Sequence, residues 1–131
     1  MPESPETEGV REANSRFYRA FESLNIDQMG AVWAGEDSIT CVHPGWPLIK
    51  GRDAVLGSWS RIFENTTLMQ FTITGAEIVV EGDWGWVSCT ENITSVVDGR
   101  VTEGKVQATN IYVRRMGRWL TVHHHGSPVV S

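Results

Sequence analysis

Apolar residues near the start of the chain recur at three- and four-residue steps: Val10, Ala13, Phe17, Ala20/Phe21 and Leu24. That spacing predicts a helix with one buried stripe, ending near Ser23. Ile26, Met29, Val32 and Trp33 repeat it over a short second helix, which Asn25 caps and Gly35 ends. A third helix is predicted from Arg52 to Asn65. Ala54/Val55, Trp59 and Ile62/Phe63 lie on one side of it, and Asp53 near its start favours the helix dipole. Between helices two and three, Ser38 to His43 reads as a strand that Pro44-Gly45-Trp46-Pro47 must stop. Beyond Thr67 the pattern is strand and turn, at roughly 68–81, 86–97, 101–115 and 119–127. Asp83-Trp84-Gly85, Asp98-Gly99 and Met116-Gly117 mark the reversals. The order α-α-β-α-β-β-β-β predicts an α+β fold, with three N-terminal helices packed on a strongly curved antiparallel sheet that encloses a pocket. Residues 1–8 are rich in Pro and Glu without apolar periodicity. They are expected to form a flexible arm before one domain at 9–131.

The size of the chain, 131 residues with 40% hydrophobic composition and six Trp, suits one core. A formal charge of -5 with scattered Lys and Arg offers no basic stripe for nucleic acid. No apolar run is long enough to span a bilayer, and the N-terminal MPESPETEGV has neither a basic nor an apolar leader pattern, so a cytoplasmic protein with no membrane partner is expected. Cys41 and Cys89 sit in apolar strand-like stretches and read as reduced core residues. His123, His124 and His125 alternate faces on a strand, so they form no cluster, and no metal site is expected. No P-loop, dinucleotide fingerprint, nucleophile elbow or H-E-x-x-H occurs, and no cofactor is expected.

The element order, with GRDAV opening helix three and GRWLTVHHHGSP closing the chain, resembles the SnoaL-like branch of the nuclear-transport-factor-two-like superfamily, a cone-shaped α+β fold. The last strand is most similar to the association domain of calcium/calmodulin-dependent kinase II, with Trp119, Val122, His123 and His125 in matching places. The arginines that line that relative's pocket fall at Asn92, Asn110 and Gly126. Ketosteroid isomerase is a more distant likeness. Its base falls on His43, its Tyr donor on Phe17 and its protonated Asp near Asn110, so the isomerase apparatus is replaced here.

The resemblance implies a pocket for a small hydrophobic organic ligand. His43, held at a strand end by Pro44, is the candidate acid or base. Asn110 is its candidate partner in orienting a substrate oxygen, and Phe17, Trp33, Trp46, Trp59, Phe63, Asn92 and His124 are candidate ligand-binding residues. A strict two-residue turn at Asp98-Gly99 would set Asn92 opposite Lys105, away from Asn110. The resemblance instead places Trp86, Ser88, Thr90 and Asn92 on the pocket face with Asn110, and Leu120 and Val122 beneath His124. The outer face would then carry Cys89, Glu91, Ile93, Ile111, Val113, His123 and His125 and make a homodimer. Two functions fit these expectations. One is a cofactor-free isomerase, cyclase, dehydratase or hydrolase acting on an apolar carbonyl or polyketide-like compound. The other is a non-catalytic binding or homodimeric assembly module.

Overall fold

The computed structural model describes residues 3–130. Helix α1 runs Pro5–Ser23, α2 Ile26–Val32 and α3 Arg52–Glu64. The strands are β1 Thr40–Val42, β2 Ile49–Lys50, β3 Thr66–Glu81, β4 Trp84–Val97, β5 Arg100–Arg115 and β6 Arg118–Pro128. Helix α1 opens inside the stretch expected to be an arm. Ser4 accepts from the Thr7 N–H, Pro5 stands where a helix needs no donor, and Glu6 and Glu8 lie in the first turn. Met1 and Pro2, the start of the expected arm, lie outside the described residues.

The sheet has the order β2-β1-β6-β5-β4-β3. It departs from the expected sheet in two respects. Ile49–Lys50 adds a short strand against β1, and β1 joins β6 in parallel, with Thr40, Cys41 and Val42 opposite His123, His124 and His125. The sheet is therefore mixed. The long strands form a meander whose Asp98-Gly99 and Met116-Gly117 turns have positive φ at both residues, the geometry of two-residue hairpins that follow strand twist. Val97 consequently faces Arg100. Strand β3 bends at Gly75, where its register against β4 shifts between Thr74 and Glu77.

Helices α1 and α3 cover the concave face, and their apolar stripes meet the sheet in one core that includes Phe17, Met29, Trp59, Val87 and Tyr112. The Arg52 guanidinium donates to the carbonyl oxygens of Gly30 (2.9 Å), Ala34 (3.0 Å) and Trp33 (3.2 Å). It thereby closes the end of α2 and ties it to α3. Cys41 and Cys89 are free and buried.

Candidate functional site

A polar chain crosses the core from α1 to three strands. Asn14 and Tyr18, one helical turn apart, reach the sheet together. The Tyr18 hydroxyl donates to Glu91 Oε2 on β4 at 2.6 Å and accepts from Asn110 Nδ2 on β5 at 3.0 Å. Asn110 Nδ2 also donates to Asn14 Oδ1 at 2.9 Å, and the Tyr112 hydroxyl donates to that same oxygen at 2.7 Å. Asn110 Oδ1 lies 2.6 Å from His124 Nδ1 on β6. An amide oxygen can only accept, so the histidine proton sits on Nδ1. Burying so many polar groups costs little only where each finds a partner, and this network supplies them.

Glu91 is 2% exposed. Burial raises its carboxyl to about 7, against a smaller lowering by the Tyr18 hydrogen bond. Burial and the Glu91 charge push the Tyr18 phenol upward, so it stays protonated. Burial likewise raises the Cys89 thiol, whose sulfur lies 3.6 Å from the Tyr18 hydroxyl.

Tyr18 and Asn14 also floor a cleft of about 360 Å³ between α1 and β3. Phe71, Ile73, Ala76 and Ile78 form its apolar wall, and Arg11, Ser15, Arg19 and Glu22 its rim. Glu22 Oε2 accepts the Phe71 N–H at 2.9 Å, which pins the helix to the strand. A larger hollow of about 600 Å³ lies where α1 meets the β5–β6 turn, bordered by Arg16, Arg118 and Trp119. It lacks a buried titratable group, and the Tyr18 cleft has one directly behind its floor.

Most residues singled out in the sequence gather in the core beside this network and pack ring on ring. Phe17 stands within 6.2 Å, centroid to centroid, of Tyr18, Trp33, Trp59 and His124. Phe63 lies against Trp59 at 6.0 Å. His43 is 3% exposed, with Trp59 at 4.6 Å and Trp46 at 4.9 Å, both edge-on. Arg61 covers the outer side of Trp46. The His43 Nε2 lies 2.9 Å from Ser58 Oγ, which itself donates to the Val55 carbonyl at 2.6 Å. Burial, with the Arg61 charge, lowers His43 to about 4. Burial also drives His124 well down, with the charges of His43, His123 and His125 acting in the same direction. Both rings are therefore neutral near pH 7. Among the described residues, the Trp59 Nε1 and Thr121 Oγ1 atoms are buried without a partner.

Asn92 is not part of this group. Strand β4 pairs Asn92 with Lys105, as a strict Asp98-Gly99 turn requires, and so turns Asn92 to the outer face. There its amide donates to Thr72 O and Thr74 Oγ1. The same register turns Cys89 and Glu91 inward, against the facing that the resemblance implied. Val113 is also buried, while Ile111 and His123 border an outer depression with Trp84. A bulge opposite Ile111/Tyr112 puts Thr121, in place of Val122, on the inner side with His124. Glu91 and Tyr18 were missed as a pair. The signal was present in a lone carboxylate within an uncharged strand and in the turn that fixes its side.

The chain belongs to the SnoaL-like domain family, whose model matches residues 10–131. A candidate dehydratase of the NTF2-like family from Streptomyces avermitilis is 37% identical, with 96% of this chain and 97% of that one covered and a TM-score of 0.90. A candidate calcium/calmodulin-dependent protein kinase type II association domain from Thiobacillus denitrificans is 30% identical over 90% of this chain and 93% of that one, with a TM-score of 0.80. A ketosteroid isomerase-like protein from Erwinia carotovora atroseptica shares the fold at 21% identity, covering 98% of this chain and 100% of that one, with a TM-score of 0.83. The F-box protein SKIP8 of Arabidopsis thaliana is 26% identical over 92% of this chain, which spans about half the length of that relative. Among the described residues, no helix is long and apolar enough to cross a membrane.

Proposed function

We propose that this chain binds a small apolar carbonyl compound in the cleft between α1 and β3 and catalyses a cofactor-free proton transfer on it, of the isomerase or dehydratase kind. One observation carries the reading: a buried carboxyl poised near neutrality, Glu91, is hydrogen-bonded at 2.6 Å to the Tyr18 hydroxyl on the floor of an apolar-walled cleft. When Glu91 is neutral its carboxyl donates to the Tyr18 oxygen, which turns the single phenol proton from Glu91 to the substrate oxygen as negative charge develops there. Glu91 in its neutral form restores the proton behind it. Glu22, the carboxylate on the cleft rim, takes the proton from carbon. Asn110 is a positioning residue that holds Tyr18, and His43 serves the packing of Trp46 and Trp59. The Streptomyces avermitilis relative, itself a candidate dehydratase, supports this class of chemistry.

The test is deuterium exchange at the α-carbon of a panel of apolar ketones and hydroxy ketones in D2O, followed by proton NMR. The wild type accelerates exchange for at least one member, and Tyr18→Phe lowers that rate by about a hundredfold. Exchange that is indifferent to both Tyr18→Phe and Glu91→Gln overturns the reading.

A second reading, a homodimer through the outer sheet face, is favoured by Trp84, which is 49% exposed beside Ile111, Val122 and His123 around a depression of about 440 Å³. Light scattering that gives a dimer in the wild type and a monomer in Trp84→Asp supports it. A wild-type monomer at micromolar concentration removes it.

A further inference from the structure

We infer that the Tyr18 cleft is built for an amphipathic organic carboxylate, whose apolar body lies on β3 and whose anionic end is held by the guanidinium groups of Arg19 and Arg11. The inference rests on the cleft reading above and adds the chemical class of its ligand.

Helix α1 presents two parallel rows to the cleft, each with a residue every fourth position. Asn14, Tyr18 and Glu22 form the inner row, and Arg11, Ser15 and Arg19 the outer one. Each residue of the inner row also bonds a protein partner: Asn14 to Asn110 and Tyr112, Tyr18 to Glu91 and Asn110, and Glu22 to the Phe71 N–H. The outer row places two guanidinium groups on the rim of a chain whose formal charge is -5. Among the described residues Arg19 forms no ion pair, and Arg11 pairs only with Glu3 in an exposed contact that a ligand can replace at small cost. A planar guanidinium accepts a carboxylate through two parallel hydrogen bonds, so the rim is chemically matched to that group.

The opposite wall is apolar because of the β3 bulge. In a regular strand Phe71 and Ile73 would share a face with residues 75 and 77. The register shift between Thr74 and Glu77 changes the phase, so Ala76 and Ile78 join Phe71 and Ile73 along the cleft. The irregularity exchanges a glutamate for an isoleucine on this wall. A ligand lying along it meets hydrocarbon on one side and, on the other, the two guanidinium groups of the outer row, with the Glu22 carboxylate at the end of the inner row.

The test is calorimetric titration of the full chain with trans-cinnamate and trans-cinnamamide, which share an apolar body and differ in charge. The carboxylate is expected to bind about tenfold more tightly than the amide at low ionic strength. The Arg11→Gln/Arg19→Gln double variant should reduce that preference to about twofold or less, with amide binding unchanged. Tyr18→Phe should weaken both probes alike. Equal affinity for acid and amide, binding of neither, or a preference that survives in the double variant overturns the inference. Equal binding that is still weakened by Tyr18→Phe leaves the Tyr18 cleft standing as the site and removes only the anionic ligand. The deuterium-exchange test of the cleft is independent of these probes.

Discussion

The Tyr18 hydroxyl and Glu91 Oε2 lie 2.6 Å apart, one on α1 and the other on β4. Both are buried, and the contact connects a surface cleft to a polar chain that continues through Asn110 to His124. Each partner alters the other. The Glu91 charge raises the phenol, and the phenol lowers the carboxyl against the stronger pull of burial. The pair therefore holds an exchangeable proton near neutral pH at the floor of an apolar-walled site.

The pH dependence of stability contains two opposed contributions. Glu91 rises from 4.5 to about 7 on folding, so its contribution is fully present below pH 4.5 and is lost as pH rises through 7, on the order of 3 kcal/mol in all. His43 falls from 6.5 to about 4, so its contribution is fully present above pH 6.5 and is lost as pH falls through 4, by a similar amount. His124 acts in the same direction as His43. Urea unfolding of Glu91→Gln between pH 4 and 7 should show stability rising with pH more steeply than in the wild type. A profile parallel to the wild type would mean that Glu91 titrates normally.

His43→Ala should cost about 2–4 kcal/mol, because it empties a space between Trp46 and Trp59 and leaves Ser58 without its ring partner. Deuterium exchange corrected for the folded fraction should remain close to wild type. Loss of exchange in a well-folded His43→Ala protein would return the chemistry to His43.

Gly85→Ala tests how closely α1 approaches the sheet. A Cβ on Gly85 would come within 2.6 Å of the Val10 Cγ2, and both backbones are held by packed elements. The expected loss is about 1–3 kcal/mol by thermal unfolding. A neutral result would show that α1 can move away from β4.

Ser4→Ala should lower stability by about 1 kcal/mol, through loss of the side-chain cap on the Thr7 N–H. No effect would mean that the first turn of α1 adds nothing to the fold in solution.

The elements were legible wherever local chemistry decides them. Apolar spacing marks α1, α2 and α3, and the glycine-bearing turns mark the meander, within about two residues at most ends. The start of α1 was masked because Ser4-Pro5-Glu6 signals a helix by capping chemistry, with no apolar stripe until Val10. The parallel union of β1 with β6 joins segments some eighty residues apart, which no local pattern encodes. In the site, Asn110, Phe17, Trp59 and His124, each singled out by the sequence as a candidate, lie in the interior. Asn92 and Glu91 take the opposite faces to those the resemblance implies, because the two-residue Asp98-Gly99 turn sets the register of β4 on β5. Side chains alternate along a strand, so one residue of register moved the carboxylate from the interior to the surface.

The most direct measurement is a carbon-13 NMR titration of the Glu91 side-chain carboxyl in the wild type and in Tyr18→Phe. The expected wild-type midpoint is near 7, with a higher one in Tyr18→Phe, where the hydrogen bond that favours the ionised form is gone. A midpoint near 4.5, or one unmoved by the loss of the Tyr18 hydroxyl, would contradict a poised Tyr18–Glu91 pair.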